Sequence, residues 1–376
     1  MSNIPKLRFP EFSGEWEEKK LGECLTLLYG KDWKDKSSTK KLYPVLGTGG
    51  VISYIDEFIY DKPCVLIGRK GSINNPVFID KPFWTVDTQF YSEIHEGYSP
   101  KFLYYIFCTE NWSKHDESTG VPSLSAKNVE NTHKHIPSYS EQQKIADFLS
   151  NVDSIITAET KILNTLQKKK KALMQKLFTR QLRFKSDDGK DFPAWEEKKL
   201  GDVCSYIGGG TPSKKVKEYW NGNINWASVK DITGKYLYET QDKISQLGAD
   251  SSATNICEPD SLLLITRMSP GKTVITKCIT AINQDLKIVK SYINVEFLHL
   301  LFQSIQTKID EKTSGTTVKG ISIEGLNQID IRLPCKAEQQ KIADCLSSMD
   351  SLIQTQQKVV TTWQQRKKAL LQQMFI

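Results

Sequence analysis

Glu141-Gln142-Gln143-Lys144-Ile145-Ala146-Asp147 opens a stretch that closes with Lys171-Ala172-Leu173-Met174-Gln175-Lys176-Leu177-Phe178. The same text returns 197 residues later, from Glu338 to Phe375. Ten of the first thirteen positions are identical between 141–153 and 338–350. Identities then fade, but the apolar pattern persists at spacings of three and four, which places one apolar stripe on a helix of about ten turns. At about 1.5 Å per residue such a rod is about 57 Å long. So long a rod has too little globular protein around it to bury its own stripe, and its second copy is the expected partner in a two-helix coiled coil. The residues expected to pack between the rods are Ile145, Leu149, Val152, Ile156, Leu163 and Leu166 in the first, and Ile342, Leu346, Met349, Ile353, Val360 and Trp363 in the second.

Pro137 and Pro334 stand just before the two rods at the same offset. Ser140 with Gln143 predicts a capping box for the first helix, whereas Ala337 at the matching position predicts more fraying in the second. Both rods carry a polar interruption, Gln167 to Lys171 and Gln364 to Lys368. Lys168 to Lys171 read as a solvated face near a helix C-terminus.

A second repeated block makes the duplication global. Trp16-Glu17-Glu18-Lys19-Lys20-Leu21-Gly22 recurs unchanged as Trp195 to Gly201, and a Leu-Arg-Phe precedes each block, at 7–9 and 182–184. The offset is 179 at this block and 197 at the rods, so the second variable region is 18 residues longer. An irregular period argues against a solenoid and favours two diverged copies of a domain-plus-helix unit. The domains are expected at 1–139 and 182–336, and the spacer helices at 140–181 and 337–376. Short β-rich runs punctuated by Gly, Asn and Asp, such as Tyr43 to Leu46, Cys64 to Ile67, Phe83 to Val86, Leu262 to Ile265 and Thr273 to Thr276, read as strands. Pro100 to Asn111 and Val295 to Ile309 read as helices, so each domain is mixed α and β.

Charged residues at 25% and hydrophobic residues at 39% mark an ordinary folded protein, and 376 residues suffice for two or three domains. A net charge of +7 and a pI near 8.8 are compatible with a nucleic-acid partner without establishing one. The eight cysteines show no Cys-x-x-Cys or zinc spacing, which points to idle thiols in a reducing cytoplasm. Met1 to Pro10 has no apolar core of a signal peptide, and no run of eighteen apolar residues predicts a membrane span.

Enzyme motifs fail when tested. Gly271-Lys272-Thr273 resembles the tail of a phosphate-binding loop, but Thr266 stands where that loop needs its first glycine. Gly208-Gly209-Gly210-Thr211-Pro212 breaks the Gly-x-Gly-x-x-Gly pattern at Ser213 and reads as a flexible loop. Pro259-Asp260 has no Glu-x-Lys after it, so the carboxylate-and-lysine set of a magnesium nuclease is missing. No Asn/Asp-Pro-Pro-Tyr/Phe methyltransferase motif occurs, and His133-x-His135 lacks nearby carboxylates. Basic loops are what remain. Lys31, Lys34 and Lys36 surround Trp33, and Arg69 and Lys70 lie in Gly68-Arg69-Lys70-Gly71. Lys214, Lys215 and Lys217 precede Tyr219-Trp220, and Arg267 and Lys272 bracket Met268-Ser269-Pro270-Gly271. Glycine lets backbone approach phosphates, and arginine can read guanine edges, so these ten are the candidate DNA-binding residues.

With its paired Glu-Gln-Gln-Lys-Ile-Ala rods, its Leu-Arg-Phe…Trp-Glu-Glu-Lys-Lys-Leu-Gly blocks, its Gly209-Gly-Thr-Pro-Ser with Tyr219-Trp220 and Ile224-Asn-Trp226, and its Gly68-Arg-Lys-Gly and Arg267…Gly271-Lys272 turns, the sequence resembles the specificity subunit of type I restriction-modification enzymes. The resemblance covers essentially the whole chain. It implies an α+β architecture with two target-recognition domains joined by two helices in an antiparallel coiled coil, a pseudo-two-fold internal repeat. Each domain would read half of a bipartite site in double-stranded DNA through the major groove, and the helices would act as a ruler for the gap. Two modification subunits would dock on this scaffold, bring S-adenosylmethionine and methylate adenine. Restriction subunits with ATP and magnesium would complete the complex, and the chain itself would hold no cofactor, metal or catalytic residue. The first domain lacks the Gly-Gly-Thr-Pro-Ser/Tyr-Trp segment, which argues against transferring base contacts residue by residue between domains. The alternative is a coiled-coil scaffold with no sequence-specific DNA role, which leaves the duplicated basic turns unexplained.

Overall fold

The two repeated stretches form the helices Tyr139–Phe178 and Lys336–Met374 of a computed structural model that describes residues 3–315 and 318–376. The chain forms two units, one of Met1–Ile162 with Gln356–Ile376 and one of Leu163–Thr355, and both long helices run from one unit into the other. Among the described residues no helix is long and apolar enough to cross a membrane.

Inside each unit the start of one long helix packs against the end of the other, so the helices are antiparallel. In the first unit Ile145, Ala146 and Leu149 share a core with Leu370, Leu371, Met374 and Phe375. In the second, Ile342, Ala343 and Leu346 share one with Leu173, Met174, Leu177 and Phe178. Val152, Leu163 and Val360 are buried, while Ile156, Leu166, Met349, Ile353 and Trp363 are half-buried.

The polar interruption departs from the solvated face expected of it. Lys170 is largely buried and forms an ion pair with Asp350, while its counterpart Lys367 pairs with Asp153 at 2.6 Å. Adding 197 carries Lys170 to Lys367 and Asp153 to Asp350, so the break in the apolar stripe supplies one cross-helix ion pair per unit. Lys168, Lys169 and Lys171 remain exposed.

The capping box expected at Ser140 is not formed. The helix begins at Tyr139, which places Ser140 inside the first turn, and the Gln142 N–H donates to Ser138 O instead. The second helix begins at Lys336 with the Gln339 N–H donating to Cys335 O. The two starts are therefore built alike, and Ala337 is no weaker a beginning.

What the repeated Glu-Gln does is more specific. Glu141 is 1% exposed, and Arg8 donates to both its carboxylate oxygens, Nε and Nη2 each at 2.8 Å, while Trp16 Nε1 donates at 3.3 Å. Glu338 is 0% exposed and receives Arg183 at 3.1 and 2.7 Å with Trp195 Nε1 at 3.0 Å. These bidentate, charge-assisted pairs raise Arg8 and Arg183 above the ordinary arginine pKa. Gln142 donates to Pro137 O and accepts the Ser99 N–H, both at 2.9 Å. Gln339 likewise donates to Pro334 O at 3.0 Å and accepts the Asn294 N–H at 3.4 Å. The Leu-Arg-Phe, Trp-Glu-Glu and Glu-Gln-Gln motifs thus meet in one buried clasp per unit, between the segment that enters the domain and the helix that leaves it.

Each clasp continues into sheet. Glu17–Lys20 pairs antiparallel with His133–Ile136, and Glu196–Lys199 with Asp330–Leu333. The main sheet of the first unit has the order Leu25–Tyr29, Gln89–Ile94, Cys64–Gly68, Val77–Ile79. Its counterpart in the second unit is Cys204–Ile207, Leu286–Ser291, Leu262–Ile265, Thr273–Thr276, with Tyr236–Leu237 added at the edge. A helix covers each, Pro100–Thr109 capped by Ser99 and Val295–Ser304 capped by Asn294. The smaller second sheet has three strands in the first unit and four in the second, and both contain a parallel pair, Tyr43–Gly47 with Trp84–Thr85 and Ile224–Ala227 with Thr280–Ile282. The 18 additional residues lie between Gly209 and Asp260, opposite Gly30 to Pro63, where the extra strand Asn255–Cys257 and the helix Gln246–Asp250 are found.

One buried ionisable group gives this fold a pH dependence. His299 bonds Thr273 Oγ1 through Nδ1 at 2.8 Å and Gln303 Nε2 through Nε2 at 2.7 Å, and burial lowers its pKa to about 4. The unfolded chain, with an imidazole near 6.5, binds this proton first, so the second unit is expected to lose stability as pH falls from about 6.5 towards about 4. Thermal melts at pH 7 and pH 5 check this: His299→Gln should flatten the difference, and an unchanged pH slope in that variant would refute it.

Candidate nucleic-acid interface

In the first unit several loops converge on the turn between Thr85 and Gln89. The Lys31 N–H donates to Thr85 O, Gly30 to Gln89 O, and both Arg69 and Lys70 to Thr88 O. The segment 120–124 closes the cluster, with Gly71 N–H on Pro122 O and Leu124 N–H on Arg69 O. Lys31, Arg69 and Lys70 are thereby brought together. Arg69 lies over the Tyr29 ring at 5.3 Å and donates to Asp87 O, which fixes its guanidinium while leaving it partly exposed.

Two carboxylates shape the lysine-rich loop. Asp32 accepts the Lys34 and Trp33 N–H groups, which hold its carboxyl below the usual range. Asp56 accepts Ser37 Oγ and the N–H groups of Thr39, Lys40 and Lys41, and its pKa is lowered chiefly by the Ser37 hydroxyl. Lys34 stays exposed on this loop. Lys36 instead pairs with Glu57 at 3.1 Å and lies over the Trp84 ring at 5.2 Å, so part of its charge is already engaged.

The second unit repeats the arrangement at the 197 offset. Thr266 N–H donates to Asp285 O, Met268 N–H to Lys319 O, and Ile321 N–H to Thr266 O. These are the counterparts of Arg69 to Thr88, Gly71 to Pro122 and Leu124 to Arg69. Bridges Lys70–Ser123 and Arg267–Gly320 also correspond. Over 64–94 and 261–291, and again over 122–136 and 319–333, positions match at this offset, while the covering helices, capped by Ser99 and Asn294, stand 195 apart. Arg267 corresponds to Lys70. Its guanidinium is 3.3 Å from Asp285 and still mostly exposed, and Lys272 is exposed where the turn rejoins its strand.

The glycine run at 208–210 is packed rather than flexible. A Cβ on Gly209 would lie 2.3 Å from Ile282 O, and one on Gly210 would lie 2.6 Å from the Ala253 carbonyl carbon. Gly210 N–H donates to Ile282 O and Gly210 O accepts Trp226 Nε1, while Trp220 stands edge-on to Trp226 at 5.1 Å and donates to Ser213 O. The two tryptophans pin the loop from which exposed Lys214 and Lys215 project. Lys217 is exposed as well, and its turn, Lys217–Tyr219, packs on the helix Gln246–Asp250.

Sequence reasoning passed over the turns on which all this rests, Asp87-Thr88 and Gln284-Asp285, and the residue Met268. Thr211 Oγ1 reaches Gln284 Oε1 at 2.6 Å, which ties the Gly-Gly-Thr-Pro loop to the second of those turns. The signal was the offset itself, since adding 197 carries Thr88 to Asp285, Lys70 to Arg267 and Gly71 to Met268. Gly71 and Met268 share a left-handed backbone, φ 83° and 73°. For a residue other than glycine this costs about 1–2 kcal/mol.

The profile of the family described as type I restriction modification DNA specificity domain matches residues 13–168 and 194–362. The MjaIX specificity subunit of Methanocaldococcus jannaschii is 32% identical over 180 residues, which cover 46% of this chain and 42% of that protein. The chain thus spans less than half the length of that relative. The MjaVIII specificity subunit of the same organism is 25% identical over 398 aligned positions, 97% of this chain and 92% of the relative. The crystal structure of a type I restriction-modification S subunit from M. genitalium superposes with a TM-score of 0.66 at 15% identity, covering 99% of each chain.

Proposed function

Because this chain belongs to the type I restriction-modification DNA specificity family and carries two of its domains, we propose that it is the non-catalytic reader of a bipartite duplex site. The observation that carries the reading is the matched loop cluster, with one backbone frame repeated at a constant offset, basic in both units and different in its side chains. A shared frame with different tips is what two unrelated half-sites call for. Phosphate contacts from Lys31, Lys34, Lys214, Lys215 and Lys272 would set register, and Arg69, Lys70 and Arg267 would stand closest to base edges in the major groove. Lys36 is a weaker member of the predicted set.

The long helices would space the two readers and hold two modification subunits. Each unit offers an apolar helix face for one. In the first, Phe148, Val152, Ile155, Trp363 and Leu370 line a groove of about 420 Å³. The matching positions in the second are Cys345, Met349, Leu352, Leu166 and Leu173. The modification subunits would bring S-adenosylmethionine and methylate adenine, restriction subunits would bring ATP and magnesium, and the assembly would work in the cytoplasm.

The test is the methylated motif in cells that carry this chain with its modification subunits. The expected result is a split sequence, and exchanging residues 22–137 for those of a relative should change one half only. Alteration of both halves by that exchange, or methylation without a split motif, would refute the reading.

A further inference from the structure

We propose that Met268 is a specificity-determining residue of the second unit, making an apolar contact with the 5-methyl group of a thymine in the major groove. The inference rests on the DNA-reading function above and adds to it a residue and a base.

The first observation is positional. Gly71 and Met268 occupy the same place in the repeated frame, each donating its N–H across to the closing loop, to Pro122 O and Lys319 O respectively. Both have a left-handed backbone. Glycine adopts it freely, and methionine does so under strain. A structural purpose for that strain would show as burial, yet the Met268 side chain is 62% exposed. The other non-glycine residues with positive φ among those described do not share this combination, since Lys41, Asp260 and Arg180, the last just beyond the first long helix, all carry charged side chains.

The second observation is the company Met268 keeps. Arg267 beside it is steadied by Asp285, Lys272 follows it in the same turn, and Val318, 44% exposed, precedes the residue that accepts its N–H. The turn is fixed on its other side by Gly271 N–H on Ile265 O. An apolar side chain on a hydrogen-bonded turn among cations suits a groove wall that is anionic at its edges and apolar at one point. In the major groove the thymine methyl is the apolar feature of the base-pair edges. Strained residues of this kind gather at functional sites.

The experiment uses the complex with its modification subunits. Its motif is first read from methylated DNA, and each thymine of the second half-site is then replaced by uracil, which removes only the methyl. In the wild-type complex one replacement should weaken binding about four-fold, the worth of one buried methyl. In M268G no replacement should matter, base preference should relax at that one position, and the first half-site should be read as before. M268G should also melt no lower than wild type, because glycine relieves the strained backbone. A wild-type complex insensitive to every uracil, or an M268G complex with unchanged preference, overturns the proposal while leaving DNA reading intact. Failure of DNA reading itself shows differently, as the absence of any split methylated motif, and overturns both.

Discussion

Arg8→Ala is expected to destabilise the first unit by about 3 kcal/mol, at the low end of what losing one partner of a buried ion pair costs. The magnitude comes from what is left behind. Glu141 is buried, Arg8 supplies two of its hydrogen bonds, and Trp16 Nε1 cannot neutralise the carboxylate that remains. Arg183→Ala should cost the second unit about as much, about 3 kcal/mol, because it leaves Glu338, 0% exposed, with only Trp195 Nε1 as its remaining donor from this clasp. Two units need not unfold together, so a single denaturation curve is the wrong readout. Hydrogen exchange resolves them. Arg8→Ala should speed exchange in Glu17–Lys20 and at the start of Tyr139–Phe178 while leaving Glu196–Lys199 protected. The double variant Arg8→Met with Glu141→Gln should recover much of the loss, since it removes the orphaned charge as well as the pair. Equal loosening of both units by Arg8→Ala would show that the clasp does not act locally.

The same clasp explains why so much of this molecule is legible in its sequence. Repeats are conspicuous where both copies must meet the same buried partners, and Arg8, Trp16, Glu141 and Gln142 are such residues, as are Arg183, Trp195, Glu338 and Gln339. Apolar periodicity exposes the helices for a similar reason, because a stripe must keep facing one partner. The reading failed where polar groups carry packing. Lys170 and Lys367 look like solvated lysines until Asp350 and Asp153 are seen opposite them, and a contact 180 residues away leaves no local trace. Gly209 and Gly210 look like a flexible run because a glycine that admits neighbouring backbone is spelled like one that merely bends. For the candidate interface the sequence offered chemistry, in its lysines and arginines, but not geometry. Its frame is made of backbone hydrogen bonds from Arg69, Lys70 and Thr266, to which side-chain patterns are blind.

Inserting four residues after Glu159 and four more after Gln356 is expected to lengthen the gap in the DNA motif by one or two base pairs, with both half-sites unchanged. One helical turn adds about 6 Å, and base pairs step by about 3.4 Å. Both insertions are needed. Asp153 and Lys170 are 17 residues apart on one helix, and Asp350 and Lys367 are 17 apart on the other. Antiparallel helices of equal length can therefore make both ion pairs, Lys367 with Asp153 and Lys170 with Asp350. An insertion after Glu159 alone lengthens one span and leaves the other, so one pair and the apolar contacts beside it lose register. That single insertion should lower the melting temperature and abolish methylation rather than move the gap. Gln356, which donates to Glu159 O at 3.1 Å, marks where the two helices face each other in the first unit and hence where matched turns can be added. The measurement is the methylated motif, with circular dichroism to confirm that the doubly extended protein keeps its helices. A folded variant whose complex with the modification subunits methylates the original motif at the original gap would show that something other than these helices sets the spacing.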